Sequence, residues 1–223
     1  MKKILFCACL VLSVFAVFFV GCKKENPLYE HVSELRCCIF EGTSENFHLK
    51  SCYGFRETPY NNDGAIGSKV WSLVFKLENK ETENATYLLN FSFNDVDYEL
   101  NFKLNPVTHS VTASVEIENF DCKDFSVTVS SGSLSETVIM KNTVPEKTMD
   151  YKGALDQLYT NQKELVNAYT DKDGNFNAEI YARIVVKNQK PYWYVGFASG
   201  NGNLKALLID GFSGETLAIR EIF

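Results

Sequence analysis

The sequence predicts a mainly β chain, with an antiparallel β-sandwich over residues 31-144 followed by a small α+β domain over residues 148-223. From about residue 29 to residue 143, apolar residues alternate with polar ones, which is the pattern of half-buried strands. From residue 148 the apolar spacing becomes three and four residues, as in an amphipathic helix, and then returns to two.

The strand-rich half contains about eight short segments with this alternation. Six of them are 71-77, 87-93, 98-104, 111-117, 125-129 and 134-140. A predicted hairpin, 33-40 with 47-54, adds two more. Short strands at spacings of roughly 8–12 residues are typical of a sandwich or barrel. We prefer a sandwich of immunoglobulin-like type, in which each strand has one face in the core and one in water.

The C-terminal part is predicted to be one helix followed by four strands. Leu155, Leu158, Leu165 and Tyr169 mark the apolar side of a helix, and Thr148 or Asp150 can cap its start. The strands are expected at about 178-187, 192-198, 204-210 and 215-222. A helix packed on one face of a small antiparallel sheet buries that face, so this segment can form a compact unit.

The N-terminus has the pattern of a secretory signal. A basic start, Met1-Lys2-Lys3, precedes an apolar run from Ile4 to Val20, and a charged segment follows Cys22. Gly21-Cys22 resembles the end of the bacterial lipoprotein signal, although Phe19 stands where that family prefers leucine. The resemblance implies a signal peptide over 1-21, a diacylglyceryl thioether on Cys22 and a tether over 22-30.

This anchor implies a location on the outer face of a bacterial membrane, at the cell surface or in the periplasm. Two acyl chains are enough for stable attachment, and a diacylglyceryl group supplies them. The alternative is an uncleaved transmembrane helix, since the segment from Ile4 to Cys22 nearly reaches the length of a span. Both interpretations place the rest of the chain outside the cytoplasm.

Charge and motifs exclude several function classes. The net charge is -6 and becomes about -8 without the signal, which argues against a nucleic-acid partner. His31, His48 and His109 have no second ligand at metal spacing, and hydrolase motifs such as G-x-S-x-G are missing from the sequence. We therefore expect no catalytic residues, no metal and no cofactor.

Four cysteines lie beyond the predicted anchor: Cys37, Cys38, Cys52 and Cys122. They allow three pairings, among which the sequence does not choose. Cys37 and Cys38 should differ in role, because adjacent strand residues face opposite sides, and either could lie opposite Cys52 in the hairpin. The order Cys52, Trp71, Cys122 also matches that of immunoglobulin domains.

The last 75 residues or so resemble the PepSY domain family. The resemblance rests on two segments, 190-195 (Lys-Pro-Tyr-Trp-Tyr-Val) and 208-217, which ends a strand in a turn and begins the next. Asp210 and Gly214 match the family's Val-Asp-Ala-x-Thr-Gly motif, whereas Gly211 and Ser213 replace its alanine and threonine. The resemblance implies a non-catalytic, secreted or membrane-attached module that restrains peptidases.

Three consecutive aromatic residues, Tyr192, Trp193 and Tyr194, are the candidate partner contacts. Strand alternation places Trp193 on one face and its two neighbours on the other, so at least one ring should be exposed unless the helix covers them all. We expect a lipid-anchored binding module for an envelope or secreted protein. The alternative is a cell-envelope hydrolase acting on glycan or peptide, with catalytic residues that the sequence does not identify.

Overall fold

The structure is a computed structural model that describes residues 25–59, 67–78, 86–105, 109–199 and 204–222. Of these described residues, 59% are in strands and 11% in helices, and they contain a large antiparallel sheet. The predicted mainly β class is therefore confirmed. The predicted signal peptide and Cys22 lie outside the described residues.

The described residues form thirteen strands. They are β1 (Val32–Thr43), β2 (His48–Thr58), β3 (Ser68–Leu77), β4 (Leu88–Phe93), β5 (Val96–Asn101), β6 (Lys103–Asn105), β7 (Ser110–Glu116), β8 (Phe125–Ser131), β9 (Leu134–Asn142), β10 (Glu179–Lys187), β11 (Lys190–Ala198), β12 (Leu204–Asp210) and β13 (Thr216–Ile222). Each predicted strand has a counterpart. The predicted strand 98-104 is divided between β5 and β6, with Phe102 between them.

Strand β1 connects the two halves of the chain. The main path of the sheet runs β13-β12-β11-β10-β1-β2-β3-β7-β6, while β5, β4, β8 and β9 form a second group that joins β1 through β9. Along one edge of β1, residues 32–36 pair in parallel with β10, and Phe40 and Glu41 pair antiparallel with β9. The division of the chain into two domains, 31-144 and 148-223, stays a prediction. Strand β1 forms backbone pairs with strands of both predicted domains.

The predicted helix forms as two segments, α1 (Tyr151–Asn161) and α2 (Lys163–Ala168), which are separated at Gln162. A short 3-10 helix, Pro27–Tyr29, packs nearby. Asp150 caps α1, since its side chain accepts a hydrogen bond of 2.7 Å from the Gly153 backbone N–H. The sequence predicted this cap as one of two candidates.

Two clusters of buried side chains form the interior. The aromatic core lies among β1–β9 and their loops, and its largest members include Phe40, Phe75, Phe91 and Phe120. The helix-covered core lies between α1 and the sheet that contains β10, β11 and β12, with Leu155, Leu158, Ile180, Trp193 and Phe197 among its buried members. Trp71 packs against both clusters.

The structure pairs one set of cysteines, Cys38 with Cys122, and leaves Cys37 and Cys52 as half-buried thiols. Neither Cys37 nor Cys38 lies opposite Cys52, as the hairpin was expected to allow, because a β-bulge at Cys37 shifts the register and brings Ile39 there. The immunoglobulin-like order Cys52, Trp71, Cys122 therefore does not correspond to a bond.

Candidate functional site

The candidate site is built where β1 meets β10. Glu34 pairs in register with Tyr181, and Arg36 with Arg183. Arg183 in turn lies opposite Tyr194 of β11. Because side chains in register share a face of a sheet, this pairing gathers charged and aromatic residues on the face opposite α1.

Glu34 is the buried centre of the charged group. Its side chain is only 4% exposed, against 34% for Arg183 and 48% for Arg36. Arg183 donates two hydrogen bonds of 2.8 Å to it, from Nε to Oε1 and from Nη2 to Oε2. The Nε of Arg36 lies 2.8 Å from the same Oε1. One carboxylate therefore fixes two guanidinium groups, one of them by the bidentate geometry that suits arginine.

The charge state of Glu34 follows from these neighbours. Burial alone would raise the pKa of its carboxyl group. The hydrogen bonds from Arg183 and the positive charges of Arg36, Arg183 and Arg56 outweigh burial, so the pKa lies below its ordinary value of 4.5. Glu34 is thus ionised at neutral pH, and its charge interacts with those of Arg36, Arg183 and Arg56.

The three predicted contact residues separate as strand alternation requires. Trp193 is 2% exposed and belongs to the helix-covered core, where its Nε1–H donates a hydrogen bond of 2.9 Å to the Met149 carbonyl. Tyr192 and Tyr194 are half-buried on the opposite face. The burial of Trp193 narrows the predicted contact to these two tyrosines, and the contact itself stays a prediction.

We call the surface formed by Arg36, Arg183, Tyr181, Tyr192 and Tyr194 the arginine–tyrosine face. The Arg183 guanidinium carbon lies 5.9 Å from the centre of the Tyr181 ring, within the range of a cation–π contact.

Gly196 lies buried between Tyr181, Tyr194 and Leu204. A Cβ atom added at Gly196 would lie 3.3 Å from Leu204 Cδ1, 3.6 Å from Tyr181 Cδ2 and 3.8 Å from Tyr194 Cε1. The missing side chain therefore lets these three residues pack closely over the backbone.

A groove of about 450 Å³ adjoins this face on the side of β2 and β3. Its lining combines the charged residues with small, polar and apolar ones: Glu34, Leu35, Arg36, Cys52, Gly54, Phe55, Arg56, Ser72, Val74, Asn105 and Ser114. Burial raises the pKa of the Cys52 thiol, so this sulfur is protonated at neutral pH and is a poor nucleophile. Arg36 and Arg56 in its lining suit the groove to an anionic group.

The sequence pointed to Tyr192 and Tyr194 of this face but not to Tyr181, Arg36 or Arg183. Glu34 and Arg183 are 149 residues apart, and no local pattern predicts that they meet. One signal was available in part: Glu34 and Arg36 alternate with Leu35 and so mark a charged face near the start of a predicted strand.

Within the described residues, no helix is long and apolar enough to cross a membrane. Comparisons of the chain with protein-family models, with curated proteins and with solved structures give no match. The site is therefore interpreted from its own geometry.

Proposed function

We propose that this chain is a lipid-anchored extracytoplasmic binding module, attached through Cys22, that holds an envelope or secreted protein on its arginine–tyrosine face. The observation that carries the proposal is the fixing of Arg36 and Arg183 by the buried Glu34. Side chains that are already ordered lose less entropy on binding, so such a surface is preorganised for a partner.

The chemistry of the face selects the partner. Arginine beside tyrosine is a combination enriched at the energetic centres of protein interfaces. The two ordered arginines favour a segment that carries Asp, Glu or a chain-terminal carboxylate, which arginine binds in a planar, two-bonded geometry. The neighbouring groove, about 450 Å³ in volume, has room for one or two side chains of such a segment.

A peptidase-restraining role is part of the proposal and is supported by the PepSY resemblance. The Asp210 carboxylate accepts hydrogen bonds of 2.9 Å from the backbone N–H groups of Phe212 and Ser213. Gly214 has a φ of +75°, a conformation that favours glycine. The two residues that match the family motif thus both stabilise the turn between β12 and β13.

The finer fold assignment belongs to the same proposal. The strand group β5-β4-β8-β9 and the path β1-β2-β3-β7-β6 share the aromatic core, which supports an immunoglobulin-like sandwich for the first half. Helix α1 against β10, β11 and β12, with β13 paired to β12, supports a PepSY-like α+β unit for the second half.

The anchor is tested by mass spectrometry of the protein extracted from its host membrane. We expect a chain that begins at Cys22 and carries a diacylglyceryl group. Cys22→Ser should move the protein to the soluble fraction or leave it uncleaved, whereas Cys7→Ser, inside the apolar run, should behave as the parent. A mature chain that retains residues 1-21 would contradict the lipoprotein assignment and favour the transmembrane helix.

The binding face is tested by placing a photoreactive amino acid at Tyr194 in the native host, with the same substitution at Tyr159 as the control. Tyr159 is 42% exposed and lies on α1, away from the face. We expect a cross-linked protein at position 194 only. Its yield should fall about tenfold on Arg36→Glu, as expected for an interfacial charge reversal, but not on Lys141→Glu.

The identity of the adduct then decides the peptidase-restraining role. If the adduct is a peptidase, adding the purified protein should lower its activity, and Arg36→Glu should relieve that inhibition. Equal cross-linking at positions 194 and 159 would contradict the assignment of this face.

A further inference from the structure

A second constellation lies at the bulge in β1, where Cys37 follows Arg36. Arg36 pairs with Gly54 and Cys38 with Tyr53, so Cys37 is the extra residue of the bulge. The Cys37 Sγ lies 3.7 Å from the Cys38 Sγ. The bulge therefore places a third sulfur beside the Cys38–Cys122 disulfide, a sulfur that the disulfide does not use.

The three sulfurs are close enough to share one ion. The Sγ atoms of Cys37, Cys38 and Cys122 all lie within 4.8 Å of one another. Three thiolates around an ion, with metal–sulfur bonds of about 2.3 Å, are separated by roughly 4 Å. The Cys37–Cys38 separation already agrees with that value, and the Cys38–Cys122 separation would reach it by opening the disulfide.

The cluster is reachable from outside. A cavity of about 470 Å³ is lined by Cys37 and Cys122 together with Tyr53, Lys69, Trp71, Glu118, Asn119 and Phe120. Cys38 lies deeper, at 7% exposure in the aromatic core. An ion could therefore enter along the aromatic wall of this cavity and find Cys37 and Cys122 first.

We propose that reduction converts this cluster into a binding site for one soft, thiophilic cation, with Cu⁺ as the best fit. A dithiol reductant gives two electrons and two protons to the Cys38–Cys122 bond and becomes a disulfide itself. The three thiols then bind the ion through sulfur, and each sulfur that coordinates releases its proton to solvent.

The ligand set distinguishes Cu⁺ from other ions. Thiolates select soft ions such as Cu⁺ over hard ones such as Mg²⁺ or Ca²⁺. Structural zinc requires a fourth ligand in tetrahedral geometry. Among the residues that the structure describes, the cluster of possible ligand atoms contains three sulfurs and no histidine or carboxylate.

Metal binding deprotonates the sulfurs, because a coordinating thiol loses its proton to the metal's charge. The oxidised and the metal-bound forms are thus two distinct states of the same three residues.

The experiment uses the whole protein, purified from its host membrane in detergent. The protein is reduced with dithiothreitol, desalted without oxygen and titrated with Cu⁺ against a coloured competing chelator. We expect one Cu⁺ per reduced chain with a sulfur-to-copper charge-transfer absorption, and none in the oxidised chain. Cys37→Ser should weaken binding by at least about tenfold, whereas Cys52→Ser, the other half-buried thiol, should not.

Thermal unfolding of the reduced chain keeps the inference testable if reduction loosens the fold. A cation bound only by the folded form must raise the unfolding midpoint, or restore folding to a reduced chain that has lost it. No change in the midpoint together with no competition for Cu⁺ would overturn the inference. Equal losses for Cys37→Ser and Cys52→Ser would overturn it as well.

Discussion

The aromatic core and the helix-covered core are stabilised in different ways. In the aromatic core, Phe40, Phe120 and Phe125 make mutual edge-on contacts at 5.1–5.8 Å, and the Cys38–Cys122 bond ties a loop to β1. In the helix-covered core, a capped helix lies on one face of the sheet, and the Trp193–Met149 hydrogen bond connects distant segments. The Glu34–Arg183 contact ties β1 to β10 on the opposite face of the same sheet.

The difference reflects what covers each core. The aromatic core is enclosed by strands and loops, and loops contribute few backbone hydrogen bonds of their own. A covalent link there limits the freedom of the unfolded chain. Helix α1 satisfies its own backbone hydrogen bonds, so the second core needs only a cap and a few directed side-chain contacts.

Removing the Cys38–Cys122 disulfide should have the largest effect on the free energy of unfolding, because it removes the covalent link of the aromatic core. Cys38 and Cys122 are 84 residues apart. Loss of a disulfide that closes a loop of that size lowers the free energy of unfolding by about 4 kcal/mol. Denaturant unfolding of Cys122→Ser without reductant measures the loss. Cys52→Ser is the control, and an equal loss in both variants would show that the bond does not stabilise the fold.

Gly54→Ala should disturb the pairing of β1 with β2 beside the bulge, where the two cores meet. A Cβ atom at this position would lie 1.8 Å from the Leu35 carbonyl oxygen, so the backbone of the bulge has to move. We expect a loss of about 3 kcal/mol, typical of forced overpacking. Gly132→Ala has open space and a φ of +58°, so it should cost only the backbone strain of about 1 kcal/mol. Similar thermal unfolding midpoints for the two variants would contradict the prediction that Gly54→Ala is destabilised by a backbone clash.

Glu34→Gln should weaken the contact between β1 and β10, on the face of the sheet opposite α1, by about 2 kcal/mol at neutral pH, because charged hydrogen bonds to Arg183 are lost. The folded-state pKa of Glu34 lies below 4.5, so its ionised form stabilises the fold above that pH. This contribution disappears as the pH falls through the folded-state pKa.

The difference in unfolding free energy between the parent and Glu34→Gln should therefore be largest above pH 4.5 and shrink in acid. Urea unfolding at several pH values measures it. Glu41→Gln, whose parent side chain is 46% exposed, is the control. A difference in unfolding free energy that increases as the pH falls would contradict the predicted pH dependence.

Asp150→Ala should have the smallest effect on the free energy of unfolding, because it removes only the cap of α1. Its effect should be confined to the helix-covered core. The loss of its hydrogen bond to Gly153 should cost about 1 kcal/mol. Hydrogen exchange should accelerate at the first amides of α1 and stay unchanged in β4 and β8. Asp173→Ala, in an exposed turn, should leave both regions unchanged.

The sequence predicts the secondary-structure elements well, but it predicts poorly which elements pair with each other. The period-two pattern predicted β12 at 204-210 with its observed limits, because alternation is a local property. The parallel pairing of β1 with β10 and the bond between Cys38 and Cys122 join residues far apart in the chain. The bulge at Cys37 was also missed, since one extra strand residue leaves no compositional mark. The Glu34–Arg183 centre and the sulfur cluster both depend on those missed features.

The shared edge of β1 also sets an order of events in biosynthesis. Glu34 leaves the ribosome long before Arg183, its partner 149 residues later. Contacts so distant in sequence are slow to form, because a large loop must close first. Until β10 is made, the first part of β1 presents an open edge that another strand could occupy. Completion of this sheet is therefore a late step of folding, and the strand closest to the predicted anchor is among the last to gain all its neighbours.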